Sequence, residues 1–82
     1  MDREEIVTVV KKHIFNSVEG TNEANLELTK SMADYGASSL DIVSVVSGAM
    51  RELQIKIPRT ELKNIKDING LIDLFEKSRL QP

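Results

Sequence analysis

Apolar residues recur at helical spacing in three stretches of this chain. From Asp2 to about Val18, Ile6, Val10 and Ile14 stand four apart with Val9 and Ser17 beside them, which predicts an amphipathic helix over 2–18. Acids at its start and Lys11, Lys12 and His13 further along suit the helix dipole, and His13 is expected to face solvent. Gly20 ends the pattern, and residues 19–38 form a long connection containing Asn22, Asn25 and Gly36. A connection of that length needs anchors. Leu26, Leu28, Met32 and Tyr35 are apolar enough to peg it to a core, through a short helical turn.

A second helix is predicted over 39–54, with Ile42, Val46, Ala49 and Leu53 in one stripe and Val45 next to it. Ile42 to Val46 alone would suit a strand, but Ser44 and Ser47-Gly48 break the alternation, and the length favours a helix. Met50 reads as a gap-filler or a surface contact. Pro58 blocks continuation and presets a short helix over 59–64. Asp67 can cap a last helix over 67–78, with Ile68, Leu71, Ile72 and Phe75 facing inward and Lys77 and Arg79 near its C-terminus. The expected fold is all-α, a small bundle of three main helices plus one short helix, in a single domain over 1–82.

Composition narrows the chemistry. A chain of 82 residues buries only roughly 60–65% of its unfolded surface, too little for a large internal active site. An apolar share of 40% with 29% charged places it among globular chains. With no cysteine it forms no disulfide, no thiolate metal site and no thioester of its own, so any thiol must arrive on a cofactor. One histidine, no cysteine and no nucleotide-binding loop leave no nucleophile–base pair to propose for an enzyme, and no metal-ligand set. The start Met1-Asp2-Arg3-Glu4-Glu5 lacks the features of a secretory signal and no apolar run is long enough to cross a membrane, so a cytoplasmic location is expected. A net charge of −2, one Tyr and two Phe argue against nucleic-acid binding. Without heptad repeats for a coiled coil, a monomer is expected.

Gly36-Ala37-Ser38-Ser39-Leu40-Asp41 carries the most information about function. Gly36 permits a tight turn. Ser38 with Asp41 three residues later fits a capping box ahead of the apolar series of the second helix. With Ser38 as cap, Ser39 becomes the first helical residue. Its hydroxyl is not needed by the backbone, and it stands where the dipole and free N–H groups favour an added phosphate. Ser39 is the candidate attachment site for a phosphodiester-linked group.

The hexapeptide resembles the Gly-x-Asp-Ser-Leu-Asp signature of acyl carrier proteins, whose serine carries 4′-phosphopantetheine. The likeness continues through Ile55-Lys56-Ile57-Pro58 and the following Ile65, Ile68, Leu71, Ile72 and Phe75, in the family's order and spacing. Ser38 stands where most members have Asp, so Gly36, Leu40 and Asp41 set the register. The resemblance implies that a phosphopantetheinyl transferase moves phosphopantetheine from coenzyme A onto Ser39, and that Asp41 helps bind that enzyme and its metal ion. It also implies that the cofactor's thiol carries acyl groups to an acyltransferase, a ketosynthase or an HMG-synthase-like enzyme. The chain itself then has no catalytic activity. The docking face it implies comprises Leu40, Val43, Ser44, Ser47 and Arg51 on the second helix, with Arg59.

Charge separates kinds of carrier. Fatty-acid carriers resemble one another in having a strongly acidic second helix, whereas this one has Asp41 and Glu52 against Arg51. Residues 38–66 hold the bases Arg51, Lys56, Arg59, Lys63 and Lys66 and the acids Asp41, Glu52 and Glu61, a local +2. The neutral second helix and the Ile57-Pro58-Arg59-x-Glu61-Leu62 stretch look more like discrete polyketide carriers, including donors for β-branching. Ala37, where peptidyl carriers often have a second Gly, argues against a peptidyl carrier. Peptidyl and fatty-acid carriers remain alternatives, as does a non-carrier helical interaction module.

Overall fold

The Asp2 carboxylate accepts the Glu5 N–H at 3.1 Å and so starts helix α1 (Arg3–Ser17), which Val18 closes by donating its N–H to the Ile14 carbonyl. In this computed structural model, which describes residues 2–79, three further α-helices follow: α2 (Ser39–Leu53), the short α3 (Arg59–Leu62) and α4 (Ile68–Arg79). Met1 and residues 80–82, which fall inside the expected domain, lie outside the described residues. No strand forms among those described, so the all-α expectation of three main helices and one short one holds. Helix ends differ from the sequence reading by one or two residues, because Asp2, Val18, Gln54 and Lys63 serve as caps rather than helical residues.

The core is wholly apolar. Ile6, Val10 and Ile14 of α1, Val45 and Ala49 of α2, and Leu71, Ile72 and Phe75 of α4 are fully buried, and no polar or charged residue joins them. α1 packs along α2 as the main helix pair, and α4 closes the bundle against α1. Ile55 and Ile57 are also buried, so the extended segment after α2 lies on the core instead of spanning solvent. Beyond it, the Ile57 N–H reaches the Met50 Sδ at 3.3 Å, which gives that side chain its contact.

The long connection is held as the sequence suggested. Leu26 and Met32 are buried and Leu28 and Tyr35 pack against the core. A 3-10 turn at Met32–Tyr35 carries its own capping box, Ser31 with Asp34, and ends on Gly36 in the left-handed region at φ 84°. The Tyr35 hydroxyl staples the loop, accepting the Glu27 N–H at 2.7 Å and donating to the Asn25 carbonyl at 3.0 Å. The loop also completes α4. The Lys30 and Leu28 carbonyls accept the Ile68 and Asn69 N–H groups, both at 2.9 Å, and the Asp67 carboxylate caps the Gly70 N–H at 2.7 Å.

Two expectations about α1 are corrected. Lys11, Lys12 and His13 lie before the last turn, which holds no base, so they do not serve the helix dipole. Lys11 pairs with Glu23, while Lys12 and His13 both bind Glu52 of α2, at 2.6 and 2.9 Å. His13 does not face solvent either: its side chain is only 21% exposed and lies over Gly48, where a Cβ would come within 2.5 Å of the ring Nδ1. The missing side chain at Gly48 makes room for the imidazole. The hydrogen bond from Lys12, and then that from His13, holds the Glu52 carboxyl below its usual value of 4.5.

Two predictions follow the core and this clasp. Phe75→Ala should cost about 3–5 kcal/mol, most of the stability of a domain this small, read as a fall in the urea midpoint. A carboxyl with a depressed folded pKa contributes stability above its unfolded value and loses it as pH falls through the folded value. Glu52→Gln should therefore be less stable than the parent at pH 7, and the two urea midpoints should draw together as pH falls through and below the usual carboxylate range.

Candidate functional site

Gly36 turns the chain out of the 3-10 turn, and Ser38 then opens α2 in extended conformation. The Ser38 hydroxyl oxygen accepts the Asp41 N–H at 3.1 Å, and the Asp41 carboxylate accepts the Ser38 N–H at 2.9 Å. This is the reciprocal box that the sequence predicted, with Ser38 as cap and Ser39 as first helical residue. Ser39 is exposed and its hydroxyl makes no hydrogen bond among the described residues.

The two helix starts that matter here are finished differently. In α4, the first four N–H groups go to the Lys30 and Leu28 carbonyls, the Asp67 carboxylate and the Asp67 carbonyl. In α2, the box and the Ser38 carbonyl satisfy Asp41 and Ile42, leaving the Ser39 and Leu40 N–H groups at the helix start without a partner among the described residues. A phosphate esterified to Ser39 would sit beside those donors at the positive end of the dipole. The residues fit such a group: the hydroxyl is accessible, the flanking donors are unused, and the nearest carboxylate, on Asp41, is turned back onto the Ser38 N–H.

Around the hydroxyl, Leu40 and Val43 are the two large apolar side chains left in solvent, at 79% and 51% exposure. Ser44, Arg51 and Arg59 are exposed as expected, whereas Ser47 is partly buried. A cavity of about 360 Å³ opens beside this face, between Ile42 and Val46 of α2, Met32 of the loop, Leu62 and Ile65 on and after α3, and Leu71 of α4, with Ser31, Lys66 and Asp67 at polar positions of its wall. The sequence reading did not find this cavity. Its signal is a spare apolar face: Ile42, Leu62 and Ile65 continue the helical stripes yet stay partly exposed.

Comparison with known proteins agrees with this geometry. The family described as the phosphopantetheine attachment site matches residues 12–75. The chain belongs to that family. It is similar to the polyketide biosynthesis acyl-carrier-protein AcpK of Bacillus subtilis, 28% identical over 94% of this chain and 95% of that protein. It is likewise similar to an acyl carrier protein of Thermotoga maritima, 33% identical over 92% and 93% of the two chains. Among solved structures, it superposes on a chain from the crystal structure of the curacin biosynthetic pathway HMG synthase in complex with an acetyl donor-ACP. That match has a TM-score of 0.79 and 31% identity, covering 92% of this chain and 96% of the other. As an acyl carrier family member, the protein takes 4′-phosphopantetheine as its covalent cofactor.

The box predicts unequal serines. Ser38→Ala should lower stability by about 1 kcal/mol by leaving the Asp41 N–H uncapped, while Ser39→Ala should stay within about 0.5 kcal/mol of the parent in urea unfolding.

Proposed function

We propose that the chain, residues 1–82, acts as one carrier domain of a polyketide pathway, with phosphopantetheine on the Ser39 oxygen. The observation that carries this is the exposed, unbonded Ser39 hydroxyl at the first position of α2, inside the family match, with two unused N–H donors beside it. When bound, the group supplies a terminal thiol that holds acyl groups as thioesters.

The chain's own residues do the rest. Ser38 and Asp41 fix the start of α2 and hence the direction of the Ser39 hydroxyl. Asp41, partly exposed, assists the phosphopantetheinyl transferase and its metal ion. Leu40, Val43, Ser44, Ser47, Arg51 and Arg59 form the docking face for that transferase and for the acyltransferase, ketosynthase or HMG-synthase-like enzymes that follow. The 360 Å³ cavity beside Ile42 offers a short acyl chain an apolar shelter. The domain is a substrate and a shuttle, without catalysis of its own. It works where coenzyme A and its transferases are, in the cytoplasm.

Likeness to AcpK and to the acetyl donor-ACP complex supports the polyketide reading over a fatty-acid one. So does the scarcity of acids on α2, where Asp41 is the only acid in the first turn. The test is labelling with coenzyme A and a broad-specificity transferase. Parent and Ser38→Ala should each gain the mass of one phosphopantetheinyl group and Ser39→Ala none. Labelled Ser39→Ala protein would overturn the site, and an unlabelled parent would overturn the carrier reading.

A further inference from the structure

Nine of the eleven Lys and Arg side chains fall into two groups, and the other two, Lys77 and Arg79, stand in the last turn of α4. Arg3, Lys11, Lys12 and Lys30 each contact a carboxylate, on Asp73 and Glu76, Glu23, Glu52 and Glu27 respectively. Arg51, Lys56, Arg59, Lys63 and Lys66 contact none among the described residues, although the chain as a whole has more acids than bases. All five are exposed and follow the middle of α2. The acids nearby offset them less than their number suggests. Glu52 is bound by Lys12 and His13 on the α1 side of α2, leaving Asp41 and Glu61 against five cations.

Helical geometry fixes where these charges lie. Leu40, Ser44, Ser47 and Arg51 fall on one line down the outer side of α2, and Val43 lies at its edge toward Ile42 and Val46, which face α3 across the cavity. The segment leading to Arg59 runs alongside, tied by the Ile57 N–H to Met50. An exposed apolar pair therefore sits beside Ser39, with one unpaired cation, Arg51, in the last turn of α2 and the other four in the segment from Lys56 through α3 to Lys66.

Resting on the carrier reading, we propose that this face docks partner enzymes whose recess is apolar at its centre and acidic at its rim. Two aliphatic side chains give too little apolar area for lasting association, which suits the brief encounters a shuttle needs. The charges then decide orientation and partner: an acidic rim is drawn to Arg51 and Arg59, while a recess lined with lysine and arginine is repelled. A nucleic acid would use the same cations but has no use for Leu40 and Val43 at their side.

The test uses holo-protein whose loading on Ser39 is first confirmed by mass, so failure to load counts against the carrier reading and not against this inference. The probes are a fatty-acid-synthase malonyl transacylase that docks acidic carriers through a cationic patch, and a charge-reversed form with those cations changed to Glu, both verified to form their acyl-enzyme. The charge-reversed enzyme should load the holo-protein with kcat/KM about tenfold higher than the parent enzyme at low salt, and the preference should shrink at high salt. Arg51→Glu with Arg59→Glu, confirmed folded by circular dichroism, should invert it, while Leu40→Ala should slow both enzymes at every salt concentration. Equal rates with the two enzymes, or a preference untouched by the double substitution, would overturn the proposal. So would tight binding of a labelled single-stranded oligonucleotide that the double substitution removes.

Discussion

Two hydrogen bonds exchanged between Ser38 and Asp41 decide where α2 begins, and the rest of the site depends on that register. Sliding the chain by one residue through α2 would turn each of its side chains by about 100° about the axis. The same pair settles which of two adjacent serines is occupied. Ser38 satisfies a backbone donor, and Ser39, one position on, keeps its oxygen free. The cap and the free hydroxyl are thus on neighbouring residues, and capping does not draw on the Ser39 side chain.

Much of this was legible in the sequence because the signals are local. The capping box needs only Ser38 and Asp41 at the right separation, the α4 cap needs only Asp67, and the stripes Ile6–Val10–Ile14 and Ile68–Leu71–Ile72–Phe75 name their buried faces directly. What escaped depends on distant pairs. His13 read as a surface residue because its partners are Gly48 and Glu52, more than thirty positions away. In the sequence Gly48 reads only as a break in a strand's alternation, yet it is the space into which the imidazole fits. The cavity beside Ile42 escaped for a related reason, since a gap between elements belongs to no single element's pattern. Gln54 also takes the left-handed cap at φ 58°, where a glycine would have announced the helix end.

Pairing, more than net charge, distinguishes the two sides of the molecule. On the α1 side the bases are matched with acids and hold elements together: Arg3 ties α1 to α4, and Lys12 with His13 ties it to α2. Past the middle of α2 the bases have no such duty. A formal charge of −2 conceals this, because the five bases and three acids of residues 38–66 are outweighed by six bases and ten acids in the rest of the chain.

The backbone links from the long loop to α4 have a mechanical consequence. Ser31 and Met32 on one wall of the cavity adjoin Lys30, whose carbonyl is bonded to Ile68, next to the Asp67 of the adjoining wall. Loop and α4 are riveted there, and parting them would break hydrogen bonds that finish a helix. The opposite wall is built otherwise. α3 has four residues, none buried, and Pro58 gives it no side-chain cap. The cavity thus has one wall pinned by hydrogen bonds and an opposite wall, carried by α3 beside Arg59 and Lys63, without such pins among the described residues.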